Sequence, residues 1–383
     1  MKPIQTPAHA RIAALDGLRG MAAVIVVAFH YLSILHFEVL PRSADAGSLS
    51  ISDTPLAILW NGRFAVSVFF VLSGFVMAAS AERRRDQLVA NIFIRYLRLT
   101  IPVTASVVLA WILLNLAPSN ASEMLASAPN PSPWLAYTYQ DAIPSLLFAL
   151  ADGLLGNFLR GYSLFNNVLW TMRIELIGSV LLFVAYWMLR GQRLLWTLVL
   201  ASIFIPLFLP HSYYLGFVIG ALLYEAWNAG LIARMPPWTG LLSLAVGIVL
   251  GSPGSGFDTR MSFPVEIAML RPGNPEGLLP ALAAGLLLYA TMRFGPITRL
   301  MSTATLRWLG RMSFGLYLVH VPVLYTIVAG MHLSGVPEPQ IAGSYIALVL
   351  GIAYVFTLLI DEVTLRVLRK KRDSIRRMVS VLK

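Results

Sequence analysis

The chain has 383 residues, of which 57% are hydrophobic and 12% are charged, and it contains no cysteine. Soluble domains carry about 25% charged residues, so this composition indicates a membrane protein and excludes one or two water-soluble domains. The net charge of +11 does not indicate nucleic-acid binding, because the basic residues are dispersed between apolar runs. The lack of cysteine excludes disulfides, thiolate metal sites and a cysteine nucleophile.

Residues 1–19 have no small-residue cleavage site after a short apolar run, which predicts a cytoplasmic lead and not a removed signal peptide. A spanning helix needs about 20 apolar residues, and ten runs of roughly this kind follow. The sequence therefore predicts an all-α integral membrane protein of about ten transmembrane helices, with a transmembrane domain over 20–362. The predicted spans are 20–40, 56–80, 96–116, 167–189, 194–209, 213–229, 238–253, 278–292, 312–331 and 341–362.

The distribution of Lys and Arg favours a topology with both termini in the cytoplasm. Of the 29 basic residues, 23 fall in the predicted inner segments, as the preference of positive charge for the cytoplasmic side requires. The six at the outer side are Arg42, Arg63, Arg160, Arg173, Arg260 and Arg271.

Three segments are predicted to lie outside the spans. Residues 117–142 and 254–277 read as outer loops, and the apolar segment 143–160, interrupted by Asp152 and Gly153, is expected at the outer surface as an interfacial or re-entrant segment. The basic tail 363–383 has one apolar stripe, which is suited to a helix on an anionic inner leaflet. A disordered tail that only fixes the topology would have the same composition.

A histidine and a carboxylate fall at matching depths in the predicted bilayer, where ionisable groups are costly. His30 lies eleven residues beyond Arg19, or roughly 16 Å above the inner helix end, near the middle of a ~30 Å core. Glu175 lies eight residues below Asn167, at the outer end of its helix, or roughly 12 Å down. The two could form an acid–base pair, or only a structural hydrogen bond between helices.

The other polar residues of the spans each allow a structural interpretation. Arg173 could pair with Glu175 or with an outer acidic group, and His320, which follows Tyr317, could bond to a backbone carbonyl. Arg95 and Arg98 lie three apart on one side of a helix start, where they could bind phosphates or anchor the inner face. Small residues at positions 73–74 predict close helix packing, since no nucleophile turn surrounds the serine.

Five stretches of the sequence, in order along nearly the whole chain, resemble the membrane acyltransferase 3 family, whose members O-acylate cell-surface glycans and some secondary metabolites. Its most specific motif, an arginine and a histidine separated by ten residues, matches Arg19 and His30. The matching stretches are LDGLRGMAAVIVVAFH (15–30), FFVLSGFVM (69–77), IRYLRLTIP (94–102), LWTMRIEL (169–176) and SFGLYLVHVP (313–322). Arg173 departs from the family pattern, which usually has an uncharged residue or serine there.

The resemblance implies a cytoplasmic acyl-CoA donor, an extracytoplasmic glycan or other hydroxyl acceptor, and a bacterial inner membrane. It implies His30 and Glu175 as catalytic residues, and no metal or resident cofactor. The expected substrate- and donor-binding residues are Arg19, Arg95, Arg98, Arg173, Tyr317 and His320. Two other classes remain open at this point: a proton-coupled secondary transporter that uses the His/Glu pair, and a scaffold of a polysaccharide synthesis complex.

Overall fold

The structure, a computed structural model, describes residues 8–36, 54–127, 142–208, 213–252 and 278–381. These residues form helices joined by short connections, and no β-strand occurs among them. The helices are α1 (Ala8–Leu35), α2 (Gly62–Arg83), α3 (Leu88–Leu116), α4 (Asn120–Ser127), α5 (Leu146–Ala151), α6 (Asn157–Arg160), α7 (Trp170–Met188), α8 (Gly191–Phe208), α9 (Tyr214–Asn228), α10 (Leu231–Arg234), α11 (Pro237–Gly251), α12 (Leu278–Arg293), α13 (Gly295–Met301), α14 (Ala304–Val323), α15 (Ala329–Leu333), α16 (Glu338–Phe356) and α17 (Glu362–Val381).

Six helical segments of the described chain are long and apolar enough to cross a membrane, so the protein is an integral membrane protein. A seventh span results if α12 and α13, which meet at an angle of 97°, are counted as one broken span. Two further apolar helices, at Gly191–Leu207 and Pro237–Gly251, are shorter. The six segments are Ala13–Leu35, Gly62–Arg83, Arg85–Leu116, Asn167–Met188, Ala304–Leu333 and Glu338–Arg372.

Within the described residues, each of the ten apolar runs is largely helical, and the all-helical fold is confirmed. The expected loop over 117–142 is wrong in part, because α4 occupies 120–127. The expected loop over 254–277 lies outside the described residues. The predicted tail, 363–383, is not separate from the last span. A helical segment runs from Glu338 to Val381 and includes one π turn, Thr357–Asp361.

The 143–160 segment is not one of the six spans. Helices α5 and α6 are joined there by a π turn, Asp152–Gly156. The Asp152 carboxylate is buried, pairs with Arg160 and accepts a hydrogen bond of 2.6 Å from Ser163. Burial raises the pKa of the Asp152 carboxyl, against the opposing effects of Ser163 and Arg160. The polar residue that interrupts this apolar segment is therefore neutralised within the segment itself.

The described chain divides into two compact units. The first comprises described residues of 1–29, 38–88 and 178–311, and the second those of 30–37, 89–177 and 312–383. In the first unit, α1 packs closely on the chain around Met301 and Gly310. A Cβ at Gly17 would stand 1.7 Å from the Met301 carbonyl oxygen, and one at Gly20 would stand 2.5 Å from the Gly310 nitrogen. The two glycines of LDGLRG therefore permit the contact that fixes the start of α1.

Helices α2 and α9 pack backbone to backbone in the same unit. A Cβ at Gly74 would lie 2.3 Å from the Phe217 carbonyl oxygen, and a Cβ at Gly220 would lie 2.1 Å from that of Val71. Backbones approach this closely only where side chains are absent, as small residues permit between membrane helices. The close packing predicted from the small residues at 73–74 is confirmed.

Candidate active site

A proline in α14 organises the centre of the second unit. Pro322 has no N–H group, so the carbonyl of Leu318, four residues earlier, loses its partner within the helix. Two side chains replace that partner: the hydroxyl of Ser106 on α3 and the amide of Asn166 just before α7, each donating at 2.8 Å to the Leu318 oxygen. Asn166 also donates to the Ser106 oxygen at 3.1 Å. A buried network thus ties α3 and the start of α7 to the helix that carries His320.

Tyr317 attaches α14 to the start of α7. Its hydroxyl donates to the Val168 carbonyl at 2.5 Å and lies 2.7 Å from the Thr171 hydroxyl. All three residues are buried. The interaction fixes the register of α7, the helix that carries Glu175.

His30 and His320 meet inside the second unit. His30 Nδ1 lies 3.2 Å from His320 Nε2, and the ring centroids are 5.0 Å apart in an edge arrangement. His320 Nδ1 lies 3.0 Å from the Leu316 carbonyl oxygen, as the interpretation of a carbonyl-bonded histidine predicts. Both side chains are buried, with exposed fractions of 4% and 0%. The structure therefore joins the two histidines of the sequence motifs in one hydrogen-bonded chain.

Glu175 is buried and forms an ion pair with Arg95, which links α7 to α3. The hydrogen bonds described above give His30 a histidine partner and give Glu175 an arginine partner. The expected orienting role of Glu175 toward His30 stays a prediction. A carboxylate bound to a guanidinium is already neutralised, which weakens its pull on a second cation.

Arg98 pairs with a residue that the sequence did not single out for the site. Its guanidinium binds the carboxylate of Asp361, and its Cζ lies 5.3 Å from the ring centre of Phe314. Asp361 is buried at the end of the π turn Thr357–Asp361. Such π turns often occur at functional sites.

The remaining candidates lie in less central places. Arg173 is exposed and donates to the Arg160 carbonyl at 3.4 Å. Arg19 belongs to the first unit, where it pairs with Asp16 at 3.4 Å and is one-third exposed. Among the residues that the structure describes, no cluster of three or more histidine or acidic side chains is placed to hold a metal ion.

Comparison with known proteins decides the family. Residues 12–359 match the family model Acyl_transf_3, described as an acyltransferase domain. The chain belongs to the acyltransferase 3 family. This acyltransferase is also 27% identical over 362 residues to the O-acetyltransferase PaAT-1 of Phomopsis amygdali, an alignment that covers 82% of this chain and 72% of the relative. No solved structure matches it. The match confirms the resemblance and decides between the open classes in favour of an enzyme.

Sequence reasoning missed Asn166 and Asp361 in this acyltransferase. A signal for Asn166 was present, because a proline within an apolar helix leaves a carbonyl that needs a donor from another segment. A signal for Asp361 was its position at the end of an apolar run, where a buried acid requires a basic partner. The sequence does not identify that partner, because Arg98 is more than 260 residues away.

Proposed function

We propose that this membrane acyltransferase moves an acetyl or other short acyl group from cytoplasmic acyl-CoA to a hydroxyl of an extracytoplasmic glycan or similar acceptor, with His30 as the general base. The observation that carries the proposal is the buried hydrogen-bonded chain from Leu316 through His320 to His30. The family match supports acyl transfer, and the relative, an O-acetyltransferase, supports oxygen as the acceptor atom.

The proposed arrangement in the membrane follows from the basic residues. Ten spans with both termini inside place 23 of the 29 Lys and Arg residues at the inner face of a bacterial inner membrane. In that arrangement the donor enters from the inner face and the acceptor from the outer face. They meet at His30, roughly 16 Å beyond Arg19 along α1.

The hydrogen bonds in this chain have a direction. A carbonyl oxygen only accepts, so Nδ1 of His320 carries the proton that bonds to Leu316. In a neutral His320 the Nε2 atom is then an acceptor, and Nδ1 of His30 must donate to it. The lone pair of His30 is consequently on Nε2, the nitrogen on the other side of the ring. His320 thus fixes the tautomer in which His30 Nε2 is a base.

The reaction proceeds by direct transfer. His30 Nε2 takes the proton of the acceptor hydroxyl as its oxygen forms a bond to the thioester carbonyl carbon. The C–S bond then breaks, and the proton on Nε2 passes to the departing thiolate sulfur, which restores neutral His30. The positive charge that His30 carries between these steps is shared with the imidazole of His320 through the Nδ1–Nε2 hydrogen bond.

The ionic groups are assigned supporting roles. Glu175, whose charge is largely balanced by Arg95, is assigned only a secondary stabilisation of the imidazolium. Arg95 and Arg98 contribute positive charge for the donor's phosphates. Ion pairing with Glu175 and Asp361 holds both arginines in place within the bilayer before the donor binds.

The test is acyl transfer from acetyl-CoA by protein in reconstituted membranes. We expect His30→Gln to reduce transfer by about 10²- to 10⁴-fold, the usual contribution of general acid–base catalysis, because an amide forms hydrogen bonds but takes no proton. His30→Ala should be equally inactive. Thermal melts should show both variants folded.

The matched control is His332→Gln, which changes an exposed histidine on the same helical segment as His320. It should keep normal transfer. Near-normal turnover by His30→Gln would mean that the imidazole is structural, and the proposed mechanism would be wrong.

A further inference from the structure

A row of polar side chains leads away from the histidine pair toward the ends of α1 and α15. Tyr31 follows His30 on α1, and Tyr325 lies five residues beyond His320, roughly 7 Å further along the helix. The ring of Tyr345 on α16 stacks on that of Tyr31 with centroids 5.2 Å apart, and Tyr345 interacts electrostatically with Tyr325. All of these residues belong to the second unit.

The outer part of the row is anchored at Glu338, the first residue of α16. Tyr31 donates to its carboxylate at 2.5 Å, and His36 Nε2 lies 2.7 Å from the same oxygen. The side chains of His36 and Glu338 are 29% and 39% exposed. The row therefore runs from the partly exposed hydrogen bond between His36 and Glu338 to a fully buried hydroxyl.

Two buried polar atoms in this row have no hydrogen-bond partner among the residues that the structure describes. They are the hydroxyl of Tyr345, whose residue is 2% exposed, and Oδ1 of Asn167. Asn167 belongs to the row because its amide donates to the Tyr325 hydroxyl at 2.6 Å. An unsatisfied buried polar group is costly, so natural proteins seldom keep one without a function or an occupant. One of these atoms is a donor and the other an acceptor, the combination that a hydroxyl group complements.

We propose that Tyr345 and Asn167 bind neighbouring hydroxyls of a sugar acceptor, in a subsite that holds the reacting hydroxyl at His30. This inference rests on the proposed function and names its acceptor subsite. The tyrosines supply apolar ring surface as well as hydroxyls, which suits a sugar. The single carboxylate of the row is already bound by Tyr31 and His36, so the subsite favours a neutral sugar over a cationic acceptor.

The decisive variant is Tyr345→Phe. Because the hydroxyl has no partner in the empty protein, its removal should leave the melting temperature unchanged or raise it. The same change should weaken binding of methyl β-D-glucopyranoside by about 3- to 10-fold, the usual effect of losing one neutral hydrogen bond. Binding is measured by titration calorimetry on full-length protein, and the KM for acetyl-CoA should not change.

The matched control is Tyr186→Phe. Tyr186 is also fully buried, but its hydroxyl donates to Glu225 at 2.6 Å in the first unit. That variant should melt at a lower temperature and bind the glucoside normally. A permethylated glucoside, which has no hydroxyl donors, should bind neither variant nor the wild type.

Different results would contradict the proposed acceptor subsite and the proposed function. Unchanged glucoside binding by Tyr345→Phe would overturn the subsite, and so would a fall in its melting temperature like that of the control, since the hydroxyl would then have a partner within the fold. Wild-type protein that binds no glucoside also overturns it. Failure of the proposed function has a different result, namely full acyl transfer by His30→Gln.

Discussion

Two ion pairs neutralise charged side chains of the second unit, which also contains the histidine pair. Arg95 binds Glu175, and Arg98 binds Asp361, so these charges are buried without leaving either sign uncompensated. Removing one partner of a buried pair typically costs about 3–5 kcal/mol of stability, because the other charge stays in the protein. Substitutions at these positions therefore affect folding as well as activity. The neutral histidines offer a cleaner test of chemistry.

Two substitutions of His320 distinguish whether this residue positions His30 or only packs against it. In His320→Gln the side-chain oxygen can take the place of Nε2 and accept from His30 Nδ1, so we expect kcat to stay within about tenfold of wild type. In His320→Leu no acceptor remains, the tautomer of His30 is no longer fixed, and kcat should fall by about 10²- to 10⁴-fold. The KM for acetyl-CoA should stay constant in both, as steady-state kinetics would establish. Equal loss in the two variants would contradict the tautomer argument.

The sequence identifies the ionisable residues of the site, but it does not show which side chains they form hydrogen bonds with. His30, Glu175 and His320 stood out because ionisable groups are costly in a bilayer, and that cost is readable from composition and depth. Depth alone allowed His30 to face Glu175. The hydrogen bond to His320 depends on the rotation of α14 about its axis, which Ser106 of α3 and Asn166 fix by their hydrogen bonds to the Leu318 carbonyl. No local pattern in the sequence contains that information.

Among the elements, the helical chain of α16 and α17 carries a π turn where it meets α3. The extra residue in the turn Thr357–Asp361 changes the direction of side chains after it, and its last residue binds Arg98. Gly315 of α14 lies against the same region, where a Cβ would stand 2.7 Å from Thr357 Oγ1 and 2.9 Å from the Ala353 oxygen. The π turn therefore joins α3 and α14 at the proposed donor side.

Comparison of Arg98→Ala with Asp361→Asn tests whether Arg98 binds the donor. If Arg98 binds a phosphate of acetyl-CoA, its removal should raise the donor KM by roughly 10- to 100-fold, the effect of losing a charged hydrogen bond. Asp361→Asn should not raise it, since the arginine keeps its charge and can still donate to the amide oxygen. Melting temperatures of both variants provide the folding control. An unchanged donor KM in a folded Arg98→Ala protein would leave the residue with only its structural role.

Helix positions were predictable, whereas helix lengths and breaks were not. The described part of every apolar run is largely helical, because only a helix satisfies backbone polar groups within a single segment of a bilayer. The bend of 97° between α12 and α13 has a local cause in Pro296, at the second position of α13. The π turns of the described chain, Asp152–Gly156, Leu324–Val328 and Thr357–Asp361, have no such signature, since they depend on contacts such as that of Asp361 with Arg98.

For the whole molecule, the number of membrane spans depends on whether the shorter apolar helices also cross the bilayer. Six described segments are long enough to span, and the ten-span arrangement also counts α8, α9, α11 and α12. Short helices can cross a bilayer that thins locally or where neighbouring helices surround them. With the N-terminus inside, Arg190 and Arg193 follow the fourth long segment and lie inside, and Arg234 also lies inside when α8 and α9 both cross.

Single cysteines test this arrangement directly, because the natural chain has none to remove. Ser127 ends α4 and is exposed, and Asp86, with a side chain 92% exposed, lies between α2 and α3. With both termini inside, an impermeant maleimide added to intact cells should label Ser127→Cys and leave Asp86→Cys unlabelled. Permeabilised cells should label both, which controls for reactivity. The reverse pattern in intact cells would invert the topology, and the donor would then have to reach His30 from the opposite end of α1.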